Sequence, residues 1–252
     1  MRPHPRALRW QGGYRVKEIK LDGEVIKSAN KITLENVSAI HKLEITFEKD
    51  LSIYSGGKVN DDGTEFRFID VFDDDWYFEN VYTAYYANLY KGTSENEFGP
   101  KKPLTRGMIV TVFYRYAKAE ETMKAAFIDV DKNMYYSEPI AWANKNKIVI
   151  GIDDSHYAPE RNISRQDLAT IIYRYVKFVL GDKMQETDTE IEGFKDVDEI
   201  ADYALVPIKW AIGNGIIKGN DQGMIRPTGN ATRAEAVAMT LRTISYLKSF
   251  SK

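Results

Sequence analysis

The hydrophobic pattern of the chain predicts a mainly α-helical protein. Apolar residues lie three, four and seven positions apart over residues 109–116, 168–175 and 237–244, as on the buried face of a helix. Val81, Tyr85 and Leu89 continue this kind of spacing ahead of the first stretch, which indicates a further helix. The sequence therefore predicts helices whose apolar stripes form a common core.

Shared landmarks show that the chain contains three copies of one repeat. Each copy begins with Phe-x-Asp-Val and carries an arginine 38 or 39 residues after that Phe; a proline precedes the arginine by six positions and a second arginine follows it by nine. These landmarks are Phe68, Phe127 and Phe194; Pro100, Pro159 and Pro227; Arg106, Arg165 and Arg233; and Arg115, Arg174 and Arg242. A glycine is expected to end the first helix of each copy, at Gly92, Gly151 and Gly219. The fixed offsets predict three helix-loop-helix repeats.

The second helix of each repeat is predicted to begin at a Thr-Arg or Ser-Arg pair. Thr232 and Glu235 have the spacing of a capping box, in which the hydroxyl accepts a helix amide and the carboxylate reaches back to the cap. Ser164 and Asp167 form a version with a shorter acidic arm, and Thr105 is expected to cap alone. Since the caps do not depend on the arginines, we expect the loss of an arginine to affect folding little.

The N-terminal part of the chain has a different pattern. Residues 14–48 alternate apolar and polar positions around the turn signal Asp22-Gly23, which predicts a small β segment of short antiparallel strands, one of them around Ile32, Leu34 and Val37. Residues 1–13 are predicted to be unstructured, and residues 49–65 to be a linker.

Composition narrows the functions open to the chain. Its 252 residues contain no cysteine, and a formal charge of -2 provides no overall field to attract nucleic acid or an acidic membrane. No apolar run is long enough to span a bilayer. The three histidines, His4, His41 and His156, have no partner at metal-ligand spacing. We therefore expect no catalysis, no metal site and no cofactor.

The repeats resemble S-layer homology domains. The resemblance is carried by residues 210–219 (WAIGNGIIKG), Arg226-Pro227 and Thr232-Arg-Ala-Glu235, and it extends over about residues 66–248. It implies a pseudo-threefold bundle of repeats at residues 66–120, 125–180 and 192–248, with a linker at 181–191. Gly107-Met108 and Gln166-Asp167 replace the Ala-Glu of the third repeat, so the grooves between repeats are not expected to bind equally.

The resemblance also implies a function. Such modules bind an anionic, often pyruvylated secondary cell-wall polysaccharide that is attached to peptidoglycan. Residues 14–48 resemble a partial β-repeat of Gram-positive surface proteins. Because the N-terminus has no apolar signal segment, the chain is expected to be the C-terminal fragment of a secreted protein, located outside the cell at the wall or S-layer.

Nine residues are candidate contacts to the polysaccharide. An arginine at a helix start can grip a carboxylate in two-pronged geometry, beside helix amides that also favour anions; alternatively, it ties one repeat to the next by salt bridges. The aspartates either accept sugar hydroxyls or stabilise turns, and the aromatic residues either stack on a sugar ring or join the core. The candidates are Asp70, Trp76, Arg106, Asp129, Tyr135, Arg165, Asp196, Tyr203 and Arg233. The later arginines, Arg115, Arg174 and Arg242, are interpreted as structural residues near helix ends.

Two other functions remain open. The module could be a lattice-forming S-layer subunit whose repeats contact other S-layer protein chains. It could also be the anchor fragment of an exported enzyme whose catalytic domain is missing.

Overall fold

The computed structural model describes residues 14–26, 40–49, 66–121, 123–187 and 189–250. The chain divides into two compact units, Met1–Phe66 and Arg67–Lys252. The strand predicted around Ile32, Leu34 and Val37 lies outside the described residues. The fold class is confirmed: the protein is mainly helical, with a small N-terminal sheet.

In the first unit, the described residues form a three-stranded antiparallel sheet. Its strands are β1 (Tyr14–Leu21), β2 (Glu24–Ile26) and β3 (Leu43–Lys49), with β1 in the centre. Asp22 and Gly23 connect β1 to β2, and both have positive φ (53° and 87°), as a type I′ turn requires. The Asp22 carboxylate also accepts the Lys42 amide at 2.8 Å. The turn predicted from Asp-Gly is therefore confirmed.

The described residues of the second unit form six α-helices, two from each repeat. They are α1 (Phe78–Tyr86) and α2 (Arg106–Tyr116), α3 (Ser137–Lys145) and α4 (Arg165–Leu180), and α5 (Asp202–Gly213) and α6 (Arg233–Ser249). Short 3-10 turns lie at Gly181–Lys183 and Val197–Glu199. Each second helix begins at the predicted arginine. Within the described ranges, no helix is both long and apolar enough to cross a bilayer.

The three repeats close into a ring. The second helix of each repeat packs on the first helix of the next, so that α2 contacts α3, α4 contacts α5 and α6 contacts α1. At the centre, the amide of Leu104 donates to Ala231, that of Ala231 to Ile163 and that of Ile163 back to Leu104, each at 2.9 Å. All three side chains are buried. The predicted pseudo-threefold bundle is thus present, and each repeat completes the packing of the other two.

The glycines expected to end the first helices have a different role. The left-handed residue that follows each first helix stands four positions earlier, at Asn88, Lys147 and Gly215, with φ of 56°, 58° and 67°. Gly151 instead allows close packing, since a Cβ there would lie 2.2 Å from the carbonyl oxygen of Asp153 and 2.8 Å from the ring of Phe127. Gly92 and Gly219 pack in the same way on Phe68 and Phe194. The prediction that these glycines end the first helices is therefore wrong. Their lack of a side chain instead allows the first Phe of each repeat to pack closely against them.

Candidate functional site

The arginine at the start of each second helix braces its repeat against the following one. Arg106 donates from Nε to the carbonyl oxygen of Tyr157 (2.9 Å) and from Nη2 to that of Ile150 (3.2 Å). Its guanidinium also lies 4.5 Å from the centre of the Tyr157 ring. Arg165 bonds to Ile225 and Lys218 in the same way, and Arg233 to Phe98 and Lys91. Because these side chains are only 5 to 7% exposed, we revise the expectation that their loss would affect folding little.

The helix amides beside these arginines are already bonded within the protein. The amide of Arg106 donates to Arg161 (3.0 Å), that of Gly107 to Pro159 (2.8 Å) and that of Met108 to the Thr105 hydroxyl (3.3 Å). The same three bonds recur at the starts of α4 and α6. The idea that free helix amides bind an anion is therefore corrected, since only the guanidinium groups remain for that task.

The caps of the second helices differ among the repeats. Thr232 and Glu235 form the reciprocal capping box. The Ser164 hydroxyl accepts the amide of Asp167 at 3.1 Å, but the Asp167 carboxylate accepts the hydroxyl of Tyr203 from the next repeat at 2.7 Å. This corrects the prediction that Asp167 completes a cap, because its side chain, one methylene shorter than glutamate, is directed to Tyr203.

The three aspartates of the Phe-x-Asp-Val segments hold loops in place. The two carboxylate oxygens of Asp129 accept the amides of Tyr157 (2.9 Å) and Ala158 (2.7 Å). Asp70 binds the amides of Phe98 and Gly99 in the same way, and Asp196 those of Ile225 and Arg226. The second amide of each pair belongs to a residue with positive φ. Sugar binding by these aspartates stays a prediction.

An open cavity of about 440 Å³, here called groove 1–2, lies between the first two repeats. Arg106 comes from the first repeat, Arg174 and the loop at Ile150 from the second, and Tyr203 from the third. The Tyr203 ring is 53% exposed. Burial, together with the neighbouring Asp167, raises the pKa of Tyr203 to about 12. Its hydroxyl is therefore a neutral hydrogen-bond donor at physiological pH.

A second cavity of about 460 Å³, groove 2–3, has the corresponding lining one repeat further on. It contains Arg165 and Arg242, and its aromatic wall is Trp76 of the first repeat, which is 61% exposed. In this groove a carboxylate contacts the first arginine. Glu235 accepts Nη1 of Arg165 at 3.1 Å and Nη1 of Arg226 at 3.4 Å. Arg165 thus forms a salt bridge within the protein.

Groove 3–1 is the equivalent place between the third and first repeats. Its arginines are Arg233 and Arg115, and its aromatic residue is Tyr135. Burial raises the pKa of the Tyr135 hydroxyl most and Glu160 raises it further, whereas Arg115 and Arg233 lower it. Nη1 of Arg233 meets the thioether sulfur of Met108 at 3.9 Å. Tyr135 is 51% exposed. Each groove therefore joins a predicted arginine with a predicted aromatic residue, and the two come from different repeats.

The second arginine of each groove was not included among the predicted contacts. Arg115 and Arg242 donate to the carbonyls of Leu89 and Ile216, near the ends of α1 and α5, at 3.0 and 3.1 Å. Arg174 and Arg242 also line cavities, and they lie inside α4 and α6 rather than at the helix ends. An offset of nine residues is two and a half turns, which places the two arginines of one helix on opposite sides. They therefore reach neighbouring grooves, as Arg165 does in groove 2–3 and Arg174 in groove 1–2. That spacing was the available signal.

Burial sets the electrostatics of these arginine pairs. Desolvation lowers the pKa of Arg165 and Arg233, and likewise that of Arg115, Arg174 and Arg242. Arginine still carries its charge at neutral pH. A buried cation is stabilised by an anionic partner, so paired guanidinium groups beside an open cavity suit an anionic ligand.

The acidic loops have internal partners. Asp153 accepts the amides of Ser155 and His156, each at 2.8 Å, and its Oδ1 lies 3.0 Å from Nδ1 of His156. The bond from the Ser155 amide and then the contact with the His156 ring contribute most to lowering the pKa of Asp153 to about 2. In the part of the chain that the structure describes, no three His, Asp or Glu side chains form a group able to hold a metal ion.

Comparison with known proteins places the repeats in context. The model of the S-layer homology domain matches residues 67–107, 126–169 and 193–237. The chain is 24% identical over 69% of its length to the surface-layer 125 kDa protein of Lysinibacillus sphaericus. It is 26% identical over 64% of its length to the cellulosome-anchoring protein of Acetivibrio thermocellus, and 27% identical over 66% to the amylopullulanase of Thermoanaerobacterium thermosulfurigenes.

The matched regions are small parts of these relatives. They amount to 14% of the surface-layer protein, 36% of the cellulosome-anchoring protein and 9% of the amylopullulanase. In each case the similarity covers about two thirds of the present chain.

Proposed function

Because the chain belongs to the S-layer homology domain family, whose domains are anchoring modules, we propose that it holds a surface protein at the bacterial cell wall by binding an anionic polysaccharide in its three grooves. One observation carries the proposal: each groove combines two guanidinium groups with a half-exposed aromatic ring, and three repeats contribute to it. A wall polymer with a carboxylate on a sugar ring has matching chemistry.

The hydrogen bonds of the first arginine restrict how that side chain could hold a carboxylate. The first arginine uses Nε and Nη2 for the carbonyls of the next repeat, as Arg106 does with Tyr157 and Ile150. A two-pronged grip by this one side chain is therefore unavailable. The ligand's two oxygens would instead meet Nη1 of the first arginine and the guanidinium of the second, for example Arg106 and Arg174. Two charge-assisted hydrogen bonds of this kind are stronger than neutral ones.

The aromatic residue supplies the second part of the recognition. Trp76, Tyr135 and Tyr203 are more than half exposed although each ring is large enough to favour burial, and Trp76 and Tyr203 line the two cavities. A pyranose ring presents apolar C–H groups on its faces, and an aromatic wall beside a few polar groups is the usual composition of a small-molecule pocket. A pyruvate ketal would place the carboxylate and the sugar ring in one residue of the polymer.

Co-sedimentation with cell-wall sacculi tests the proposal. The 252-residue chain should pellet with sacculi that retain their secondary polymer, and it should stay in the supernatant after acid extraction of the polymer. Adding back the extracted polymer should compete for binding. Retention on bare peptidoglycan that the polymer does not compete with would show that the proposed ligand class is wrong.

The kind of protein that carries such modules differs among the relatives. The relatives named above include a surface-layer protein, a cellulosome-anchoring protein and an amylopullulanase, so similar modules occur beside several kinds of partner. We propose that the present chain supplies attachment and no catalysis.

A further inference from the structure

We propose that Glu235 is a built-in competitor for the ligand's carboxylate, which makes groove 2–3 the weakest of the three grooves for anionic sugars and groove 3–1 the strongest. The inference rests on the proposed function and goes beyond it, since it assigns unequal roles to grooves that the pseudo-threefold fold would otherwise make equivalent.

The Glu235 carboxylate occupies the donor that a ligand would need. Its Oε1 accepts Nη1 of Arg165 at 3.1 Å, while the Nε and Nη2 of that arginine are already bonded to the carbonyls of Ile225 and Lys218. Oε2 accepts the amide and hydroxyl of Thr232 at 2.8 and 3.0 Å. The helix cap therefore holds the carboxylate in a fixed position against the arginine, and an incoming anion must displace it.

Groove 3–1 lacks this competitor. The residue at the same position of α2 is Met108, whose thioether is only a weak acceptor for Nη1 of Arg233. Among the described residues, Arg233 forms no salt bridge. Glu160 also lies near groove 3–1, where it acts on Tyr135. The acid that acts on Arg233 from a distance is Asp70, and Asp196 acts on Arg165 in the same way, so this contribution to the arginines does not distinguish the two grooves.

Groove 1–2 is intermediate. Asp167 takes the equivalent position, but its carboxylate accepts the Tyr203 hydroxyl at 2.7 Å, and Nη1 of Arg106 has no hydrogen bond in the described part of the chain. The acid adds negative charge to this groove without blocking the arginine. The position three residues after the cap thus sets the order of anion affinity: Met108 above Asp167 above Glu235.

The test titrates the ¹⁵N-labelled chain with a methyl hexoside that carries a pyruvate ketal, and with the neutral methyl ester of the same compound. The backbone amides of Gly92, Gly151 and Gly219 report on grooves 3–1, 1–2 and 2–3, because they lie beside the loop carbonyls that bind the arginines. The acid should bind groove 3–1 about tenfold more tightly than groove 2–3. The ester should bind all three grooves with similar affinity.

Two exchanges test the assignment in opposite directions. Glu235→Gln keeps a side chain that can complete a capping box but removes the charge, and it should raise the affinity of groove 2–3 for the acid about tenfold. Met108→Glu should lower the affinity of groove 3–1 by a similar factor while it completes the cap at Thr105 and leaves the fold at least as stable. Met108→Gln is the matched neutral control and should have little effect on binding.

The titrations distinguish the competitor role of Glu235 from the proposed function. If the acid binds but neither charge exchange changes the affinity of its groove, the competitor role is refuted and the proposed function stands. If the acid binds none of the grooves of the folded chain, both are refuted.

Discussion

Replacing Arg106 by alanine should destabilise the helical unit strongly, although the helix cap at Thr105 remains. The arginine is 7% exposed and donates two hydrogen bonds to carbonyls of the second repeat, 44 and 51 residues further along the chain. Its guanidinium also packs over the Tyr157 ring. The substitution therefore removes contacts between repeats and leaves two carbonyl groups without their donor.

The size of the effect follows from these contacts. A hydrogen bond to a charged group contributes about 1.5 to 3 kcal/mol, and the cation–π contact adds about 0.5 to 2 kcal/mol. Removing a buried charge regains part of its desolvation cost. We therefore expect a loss of roughly 3 to 5 kcal/mol, which corresponds to a fall in Tm of about 6 to 20 °C for a unit of this size. Lysine should recover only part of the loss, because one ammonium group cannot reproduce the two diverging bonds.

Urea unfolding followed by circular dichroism measures this difference. Arg161→Ala is the matched control: it removes the same charge from the same groove, but its side chain is exposed, so its effect should stay within about 0.5 kcal/mol. If Arg106→Ala and Arg161→Ala have the same stability, the arginine is not a brace between repeats, and the sequence-based expectation of little effect was right.

Three further predictions concern the fold. Gly151→Ala should cost about 3 kcal/mol in urea unfolding because the new Cβ would meet backbone oxygens at 2.2 and 2.5 Å, whereas Gly193→Ala, with no atom within 4 Å, should be nearly neutral. Equal stabilities would contradict the packing role of Gly151. A chain that ends at residue 191 should lose the cooperative thermal transition of the first two repeats, because the ring is closed through Ala231; an unchanged transition would show that the repeats fold independently. Asp129→Asn should cost about 1 to 3 kcal/mol, since one of two backbone amides loses its carboxylate acceptor, and a Tm equal to that of the unchanged chain would refute the loop-anchoring role.

Much of the architecture could be predicted because local signals repeat three times. The Thr-Arg and Ser-Arg pairs mark the first residue of each second helix, and Asp-Gly marks the turn of the small sheet. Each of these features depends on residues that are close together in the sequence, so the local sequence is enough to predict it.

The partners of the site residues were harder to predict because the ring connects residues far apart in sequence. Position alone suggested that Arg106 either bound a ligand or formed a salt bridge. It bonds instead to carbonyls of the next repeat and still reaches the wall of a cavity. The aromatic residue of that cavity, Tyr203, belongs to the third repeat. No local pattern indicates such a combination.

The remaining errors have similar physical causes. Gly92 and its equivalents resemble helix caps in position, but close packing against a loop gives the same preference for glycine. Arg174 and Arg242 were interpreted from the helix dipole, whereas α4 and α6 continue beyond them and turn both side chains into grooves.

The aromatic walls allow the most direct test of the binding grooves, because their removal leaves the arginine braces in place. The measurement is titration calorimetry of purified secondary-polymer fragments against the unchanged chain and against a variant with Trp76→Ala, Tyr135→Ala and Tyr203→Ala. All three side chains are more than half exposed, so the variant should remain folded at 25 °C. We predict that its affinity for the fragments falls at least tenfold. A folded variant that binds the polymer as tightly as the unchanged chain would show that the grooves are not the binding sites.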